Sequence, residues 1–223
     1  MRSFDFWFEI KHAWYFLVRY PQTILIPLIP ALLFSLANFL TGRGRLTWIT
    51  SLLQSGLSTI LLLVGAVLAF LSLAFLIALI WDYQHRSTID FSYSWQIIAG
   101  RWRDVLIVSL IVGFLIAFFS LWFIFPGLFL AFLLMFALPA TVIEGYDPFA
   151  SISTSFRLAV ENVGECFTFF IICLFFLLIG YLIVWLLGFI PIVGIILNII
   201  FLAGLITYLS ALLTRFYLSL TRY

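Results

Sequence analysis

The sequence predicts an all-α membrane protein with six transmembrane helices in three hairpins and amphipathic interfacial helices on the cytoplasmic side. First, the 223-residue chain is 65% hydrophobic and 9% charged, whereas a soluble domain carries about 25% charged residues. Second, it contains six apolar segments long enough to cross roughly 30 Å of hydrocarbon. Third, basic residues and tryptophans gather at the ends of these segments. Most of the surface is therefore expected to face lipid.

The first unit begins with an amphipathic segment. Apolar residues recur every three or four positions over Phe4–Val18, which predicts a helix in the membrane interface. The alternative is that these are the first turns of a long, tilted span. Pro21–Leu40 carries no charge and is the first predicted span, bent at Pro27 and Pro30 because proline removes a backbone donor. Arg43 and Arg45 belong to the turn that follows.

The second predicted span comes from the longest uncharged run. Leu46–Trp81 has 36 residues, more than one upright span needs. Its first third is polar and is interpreted as a short interfacial segment. The span itself is predicted over Leu57–Trp81.

The second unit has the same outline. Asp82–Asp104 is predicted to contain a second amphipathic helix, with Asp90 as its N-cap. Two spans follow, over Val105–Phe123 and Gly127–Ile143. The apolar face of the amphipathic helix comprises Phe91, Trp95, Ile98, Trp102 and Val105.

The third unit has the strongest local signal. Asp147 is predicted to cap a helix, and Pro148 takes its first position, where the missing N–H costs nothing. That helix continues to Glu165, and the last two spans are predicted over Phe167–Leu187 and Ile192–Leu213. Its polar ridge comprises Ser153, Arg157, Glu161 and Glu165.

A faint internal repeat relates the last two units. Ser92–Trp95 (SYSW) and Ser153–Phe156 (STSF) are offset by 61 positions, although chance similarity between apolar segments is the alternative. We expect a single integral membrane domain over residues 1–223, composed of repeat units 4–82, 90–146 and 147–220.

Charge distribution predicts the orientation. With six spans, nine of the eleven basic residues fall on the side of the two termini. Short loops rich in Lys and Arg stay in the cytoplasm. The chain is therefore expected to be a multi-pass protein of the cytoplasmic (inner) membrane, with both termini cytoplasmic.

The sequence carries no catalytic constellation. The predicted spans contain no charged residue, which disfavours an ion-coupled carrier. No nucleophile elbow, metalloprotease motif or phosphate-binding loop is present. Cys166 and Cys173 lack the spacing of metal ligands. We therefore expect no enzymatic activity, no cofactor and no metal, and the low net charge of +2 argues against nucleic acid as a partner.

The stretch Leu138–Asn162, LPATVIEGYDPFASISTSFRLAVEN, resembles a motif of the YciC-like and glycerophosphodiester phosphodiesterase membrane-domain families. Those families are polytopic membrane proteins without an assigned activity, and the phosphodiesterase itself lies in a separate soluble barrel. The resemblance thus implies a membrane domain rather than an enzyme. The family-motif positions are Glu144, Asp147, Pro148, Ser155 and Asn162, all expected to be structural.

Two functional hypotheses follow. The first is a non-enzymatic inner-membrane protein that interacts with lipid or supports a membrane complex, with Arg101, Arg103 and Arg157 contacting anionic headgroups. Its partners would be membrane lipids, other membrane subunits or a second copy of the chain. The alternative is a passive conduit or permease for small solutes or anions, because prolines within spans are typical of transport folds. Its polar lumen would be lined by Asn38, Gln54 and Asn198.

Overall fold

The computed structural model describes residues 6–42, 48–86, 88–187, 189–190 and 193–221. Across these ranges the regular secondary structure is entirely helical. The helices in chain order are α1 Phe6–Arg19, a 3₁₀ turn Pro21–Ile24, α2 Leu25–Gly42, α3 Trp48–Arg86, α4 Phe91–Trp122, α5 Ile124–Leu134, α6 Ala137–Pro139, a π-helical turn Ala140–Glu144, α7 Pro148–Glu161, α8 Val163–Leu187 and α9 Val193–Thr221. Arg43 and Arg45 lie outside the described residues.

Within the described ranges, five helical segments are long and apolar enough to cross a membrane, and a sixth is obtained if one bent pair forms a single span. The bent pair joins Trp7–Arg19 to Pro21–Ala37 at an angle of 91°. The predicted all-α membrane class is therefore supported, while the count of six and the three hairpins stay predictions. The five segments are Gly56–Arg86, Phe91–Trp122, Ile124–Glu144, Val163–Leu187 and Val193–Thr221.

Local chemistry explains the corner between α1 and α2. Tyr20 leaves the helical conformation with φ −127° and ψ 64°, and Pro21 starts the 3₁₀ turn. The Thr23 hydroxyl donates to the Tyr20 carbonyl at 2.8 Å, so the backbone oxygen at the corner is satisfied. Proline cannot continue the hydrogen bonding of the preceding helix. The chain therefore turns here instead of forming one long helix.

One carbonyl of α2 lacks its helical hydrogen-bond donor because of a proline, and a side chain of α3 donates to it instead. Pro30 lies inside α2 and has no N–H to donate to the carbonyl four residues earlier, at Ile26. The Ser72 hydroxyl of α3 donates to that carbonyl at 3.2 Å. A hydroxyl between helices is the usual partner for a freed carbonyl inside a membrane.

Two of the predicted segments are continuous with the spans that follow them. α3 is one helix of 39 residues, so the interfacial segment predicted before Leu57 forms the first part of α3, and its position at the interface stays a prediction. α4 is one helix of 32 residues, so the predicted amphipathic helix after Asp82 is the first part of α4. Neither helix contains a proline, and no backbone donor is therefore lost along them. The Asp90 N-cap is confirmed, since its carboxylate accepts from the Ser92 and Tyr93 amides.

The largest buried side chains form an aromatic cluster where α1 crosses α9. Phe169 and Phe216 stack with ring centroids 4.2 Å apart, and Phe136 packs against Phe216 and Tyr217. Phe16 of α1 is 3% exposed in the same cluster. Offset and edge contacts between aromatic rings stabilise beyond their buried area. This cluster therefore joins α1, the α5–α6 segment, α8 and α9.

Candidate functional site

The predicted family motif lies beside a broken helix. α5 ends at Leu134, α6 is three residues long, and the π-helical turn ends at Glu144. Gly145 then takes a left-handed conformation with φ 74°, which glycine adopts without steric cost. Such a break frees backbone groups that must find other partners inside a protein.

Three buried hydroxyls, those of Thr141, Ser151 and Ser155, supply these partners. Ser155 accepts from the Phe136 amide at 3.0 Å and donates to the Leu133 carbonyl at 2.8 Å. Thr141 donates to the Ala137 carbonyl and lies 2.9 Å from the Ser151 hydroxyl, which donates to the Tyr146 carbonyl. All three residues are 0% exposed. Ser155 therefore holds the break in place.

The other motif positions also shape the backbone. The Asp147 carboxylate accepts from the Ala150 amide at 3.2 Å, and Pro148 opens α7, as the sequence predicts. The Asn162 side chain donates to the Leu158 carbonyl at 3.2 Å where α7 ends. Glu144 is exposed at the end of the π-helical turn.

The three predicted headgroup arginines lie in different environments. Arg101 is partly buried, and its Nη1 donates to the Val142 carbonyl at 2.8 Å. A Cβ atom built on Gly145 would lie 2.5 Å from its Cζ, so the guanidinium packs directly on that turn. A cation at the carbonyl end of a helical segment is favourable. Arg103 and Arg157 are exposed and are sterically open to headgroups.

Asp82 takes a role that the sequence analysis missed. It is 0% exposed near the end of α3, and its Oδ2 accepts from the Asp90 amide at 3.0 Å. Arg86 Nε lies 3.4 Å from Oδ1, and the Arg86 guanidinium lies 4.0 Å from the Tyr93 ring centroid. The carboxylate therefore joins the end of α3 to the beginning of α4. The sequence shows only an acidic residue after an apolar run, which resembles an ordinary headgroup-level charge.

An apolar groove of about 790 Å³ lies between α2, α3, α8 and α9. Within the described ranges, α2 and α8 both pack against α9 but scarcely touch each other, so the groove is partly open between them. Asn198 lines it, and no described residue is a hydrogen-bond partner of its buried Oδ1. The side chains of Asn38 and Gln54 lie outside the described residues. Asn198 is thus the member of the predicted polar lumen that can be placed.

Comparisons with protein-family models, curated proteins and solved structures gave no match. The resemblance to the YciC-like superfamily therefore stays a prediction. Over the ranges that the structure describes, no group of three or more His, Cys, Asp or Glu residues could hold a metal ion. Fold and site together define an all-helical chain whose apolar helices are compatible with an integral membrane protein.

Proposed function

We propose that this chain is a non-enzymatic, lipid-binding protein of the cytoplasmic membrane, with both termini in the cytoplasm. The observation that carries the proposal is the arrangement of α1, which turns by 91° from the apolar helix after it. If α2 crosses the bilayer, α1 lies along its surface. The resemblance to polytopic membrane domains supports the same class.

The exposed face of α1 is suited to the membrane interface. Ala13 and Phe16 are buried against the protein, whereas Trp7 and Trp14 are 67% and 60% exposed. Large exposed apolar groups are unfavourable in water, but tryptophan is enriched where hydrocarbon meets headgroups. The ion pair between Glu9 and Arg215 of α9 holds the helix in this orientation.

Basic residues accompany these aromatic residues. Lys11 and Arg19 are exposed on α1, and the Lys11 Nζ lies 5.4 Å from the Trp7 ring centroid. Arg103 and Arg157 are exposed on α4 and α7. Each such cation near an anionic surface contributes about 1 kcal/mol of attraction. Arg101 is a weaker candidate for headgroup binding because the Val142 carbonyl already accepts from it.

The test compares membranes of different charge. The full chain is reconstituted in nanodiscs of phosphatidylcholine with and without phosphatidylglycerol, and the lipids around it are counted by native mass spectrometry. Phosphatidylglycerol should be enriched around the wild-type chain. The double variants Lys11→Gln/Arg19→Gln and Arg103→Gln/Arg157→Gln should each lose part of this enrichment.

Arg101→Gln is the control because it removes one positive charge from a partly buried site, to be compared with each of the four exposed substitutions made singly. It should leave the enrichment unchanged. Equal lipid composition around all these chains, or an equal loss in Arg101→Gln and the exposed variants, would contradict the proposal.

A passive solute or anion conduit is the second candidate, favoured by Asn198 in a groove that follows the helices. The remaining lining is almost wholly apolar, and polar solutes lose hydration in such surroundings. Flux through liposomes that contain the full chain, measured with chloride and with a neutral solute, separates the candidates. Flux above that of protein-free liposomes would favour the conduit.

A further inference from the structure

We propose that the groove between α2 and α8 binds one acyl chain of a membrane phospholipid, with a hydrogen-bond donor of its headgroup at Asn198. This inference names the lipid contact of the function proposed above and rests on that proposal for the membrane location. It uses a different part of the molecule from the charged face of α1. The two can therefore be tested separately.

The groove has the length that an acyl chain requires. Its lining follows α9 from Asn198 to Leu213, which is about 22 Å at 1.5 Å per residue. The hydrocarbon layer of a bilayer is roughly 30 Å thick. Ala31 of α2, Cys173 of α8 and Leu202 of α9 all line the groove. The groove therefore extends through most of the apolar depth.

The chemistry of the lining selects an apolar occupant. Water is not retained in apolar cavities, and an empty void forfeits the dispersion contacts of its walls. The walls formed by α2 and α8 scarcely touch in the described ranges, so the groove is accessible from the side. Acyl chains are the apolar molecules that surround membrane-spanning helices. An acyl chain is the occupant that these conditions favour.

Asn198 determines which end holds the polar part of the lipid. α9 has 29 residues, about 43 Å, and the charge of Arg215 near its C-terminal end indicates that this end, rather than the apolar first turns, extends beyond a roughly 30 Å hydrocarbon layer. Asn198 follows the start of α9 at Val193 by little more than one turn and thus lies in the third of the predicted span Ile192–Leu213 that is nearest to the start of α9. Its Oδ1 is buried and accepts no hydrogen bond from any residue that the structure describes. A buried acceptor without a donor is unfavourable, and an ammonium or hydroxyl of a headgroup would supply the donor.

This geometry predicts a preference that is independent of net charge. Phosphatidylethanolamine and phosphatidylglycerol carry N–H or O–H donors, whereas phosphatidylcholine carries none. At equal net charge, phosphatidylethanolamine should be bound in preference to phosphatidylcholine. In the Asn198→Leu variant that preference should disappear, while an acyl chain is still retained.

The experiment measures the phospholipid that stays on the full chain after purification in mild detergent, by extraction and native mass spectrometry. The wild-type chain should retain phospholipid. Ala31→Trp and Leu202→Trp place a bulky ring in the groove and should remove most of it. The control is Ala117→Trp, because Ala117 is exposed on α4 and does not line the groove.

Retention of as much phospholipid by the groove variants as by Ala117→Trp would overturn the proposal. So would a wild-type chain that neither retains nor rebinds phospholipid, or a retained molecule that has no acyl chain. Unchanged phosphatidylglycerol enrichment in the Lys11/Arg19 and Arg103/Arg157 variants would contradict the proposed function alone, since Asn198 is intact in them and retention in detergent does not depend on these charges.

A second measurement uses the wild-type chain, so its result does not depend on whether the variants fold. The wild-type chain is illuminated in membranes with a phospholipid that carries a photoactivatable acyl chain, and the cross-linked peptides are identified. Cross-links should include groove residues such as Cys173 and Ile206. Absence of cross-links in the groove, while Phe114 and Phe118, which are exposed on α4, are labelled by the surrounding lipid, would overturn the proposal.

Discussion

The 61-residue offset aligns the beginning of α4 with the α7–α8 region, yet the two regions fold differently. Ser94 and Ser155 are aligned by this offset and are both 0% exposed. Their neighbours Trp95 and Phe156 are both exposed, by 64% and 52%. However, α4 continues without a break to Trp122, whereas α7 ends at Glu161 and α8 begins at Val163.

Helix propensity explains where the second region breaks. Arg101, Trp102 and Arg103 are equivalent by the offset to Asn162, Val163 and Gly164. Asparagine and glycine have lower helix propensity than arginine. The Asn162 side chain also competes for the Leu158 carbonyl, to which it donates at 3.2 Å. Helix continuity is therefore decided by three residues rather than by the overall pattern.

The two serines also differ in what they bind. Ser155 accepts from one backbone amide of the α5–α6 break and donates to one carbonyl there. The Ser94 hydroxyl has no hydrogen-bond partner in the described part of the chain. Of the two aligned hydroxyls, that of Ser155 is structural because it lies against a broken helix, whereas that of Ser94 makes no such contact within the described residues.

The largest expected effect comes from Ser155→Ala. This change leaves a buried amide and a buried carbonyl without partners, each costing about 1–3 kcal/mol, so we expect a loss of about 3 kcal/mol in the free energy of unfolding. Ser94→Ala is the matched control, and because it removes a buried hydroxyl that has no partner among the described residues, we expect it not to destabilise the protein. Denaturant titration in detergent micelles measures both. Equal losses would remove the distinction between the two regions.

Arg101→Gln tests the contact between α4 and the π-helical turn that precedes α7. It removes the charge-assisted hydrogen bond to Val142, which contributes about 1.5–3 kcal/mol in buried surroundings. Because Arg101 is partly buried, we expect a loss of about 1–2 kcal/mol after solvent screening. The same titration measures it, with exposed Arg103→Gln as the control. A loss in Arg103→Gln as large as in Arg101→Gln would show that the Val142 contact is unimportant.

The two N-caps provide a finer comparison. Asp90 accepts from two amides, those of Ser92 and Tyr93, whereas Asp147 accepts from that of Ala150 alone. Loss of an N-cap costs about 0.5–2 kcal/mol. We expect Asp90→Ala to be more destabilising than Asp147→Ala, with Asp→Asn at each position retaining most of the stability. Thermal unfolding in detergent measures the order, and the reverse order would contradict this account.

The smallest effect is expected from Gly164→Ala at the break itself. An added Cβ would meet nothing within 4 Å, and replacing glycine in a helix stabilises by about 0.4–1 kcal/mol. Gly194→Ala is the control, because there the added Cβ would collide with the Leu187 carbonyl oxygen. Thermal unfolding should shift upward for Gly164→Ala and downward for Gly194→Ala. A downward shift in both would mean that the break at Asn162 requires glycine.

Sequence reasoning succeeded where the chemistry is local. The caps at Asp90 and Asp147 follow from residues next to each other in the chain. It did not show that α3 is continuous from Trp48, because polar residues before Leu57 indicate proximity to the membrane interface and not where a helix begins. It also could not find the bond between Ser72 and the Ile26 carbonyl, which lie 46 positions apart.

The candidate site was predictable only in part. Ser155 and Asn162 were identified by a motif, but their hydrogen-bond partners depend on a break in α5–α6 that the pattern does not specify. Asn198 was expected to line a lumen, and it lines a groove that is otherwise almost wholly apolar. Whether two helices leave a gap depends on tertiary packing. Hydropathy along one chain does not contain that information.

The length of α3 has a consequence for how the protein responds to membrane thickness. Its 39 residues extend about 58 Å, nearly twice the depth of a roughly 30 Å hydrocarbon layer. Such a helix must either tilt strongly or protrude, and each additional ångström of bilayer submerges more of its uncharged surface. Thicker bilayers, such as sterol-rich ones or those of long-chain lipids, should therefore hold α3 more upright than thin bilayers do.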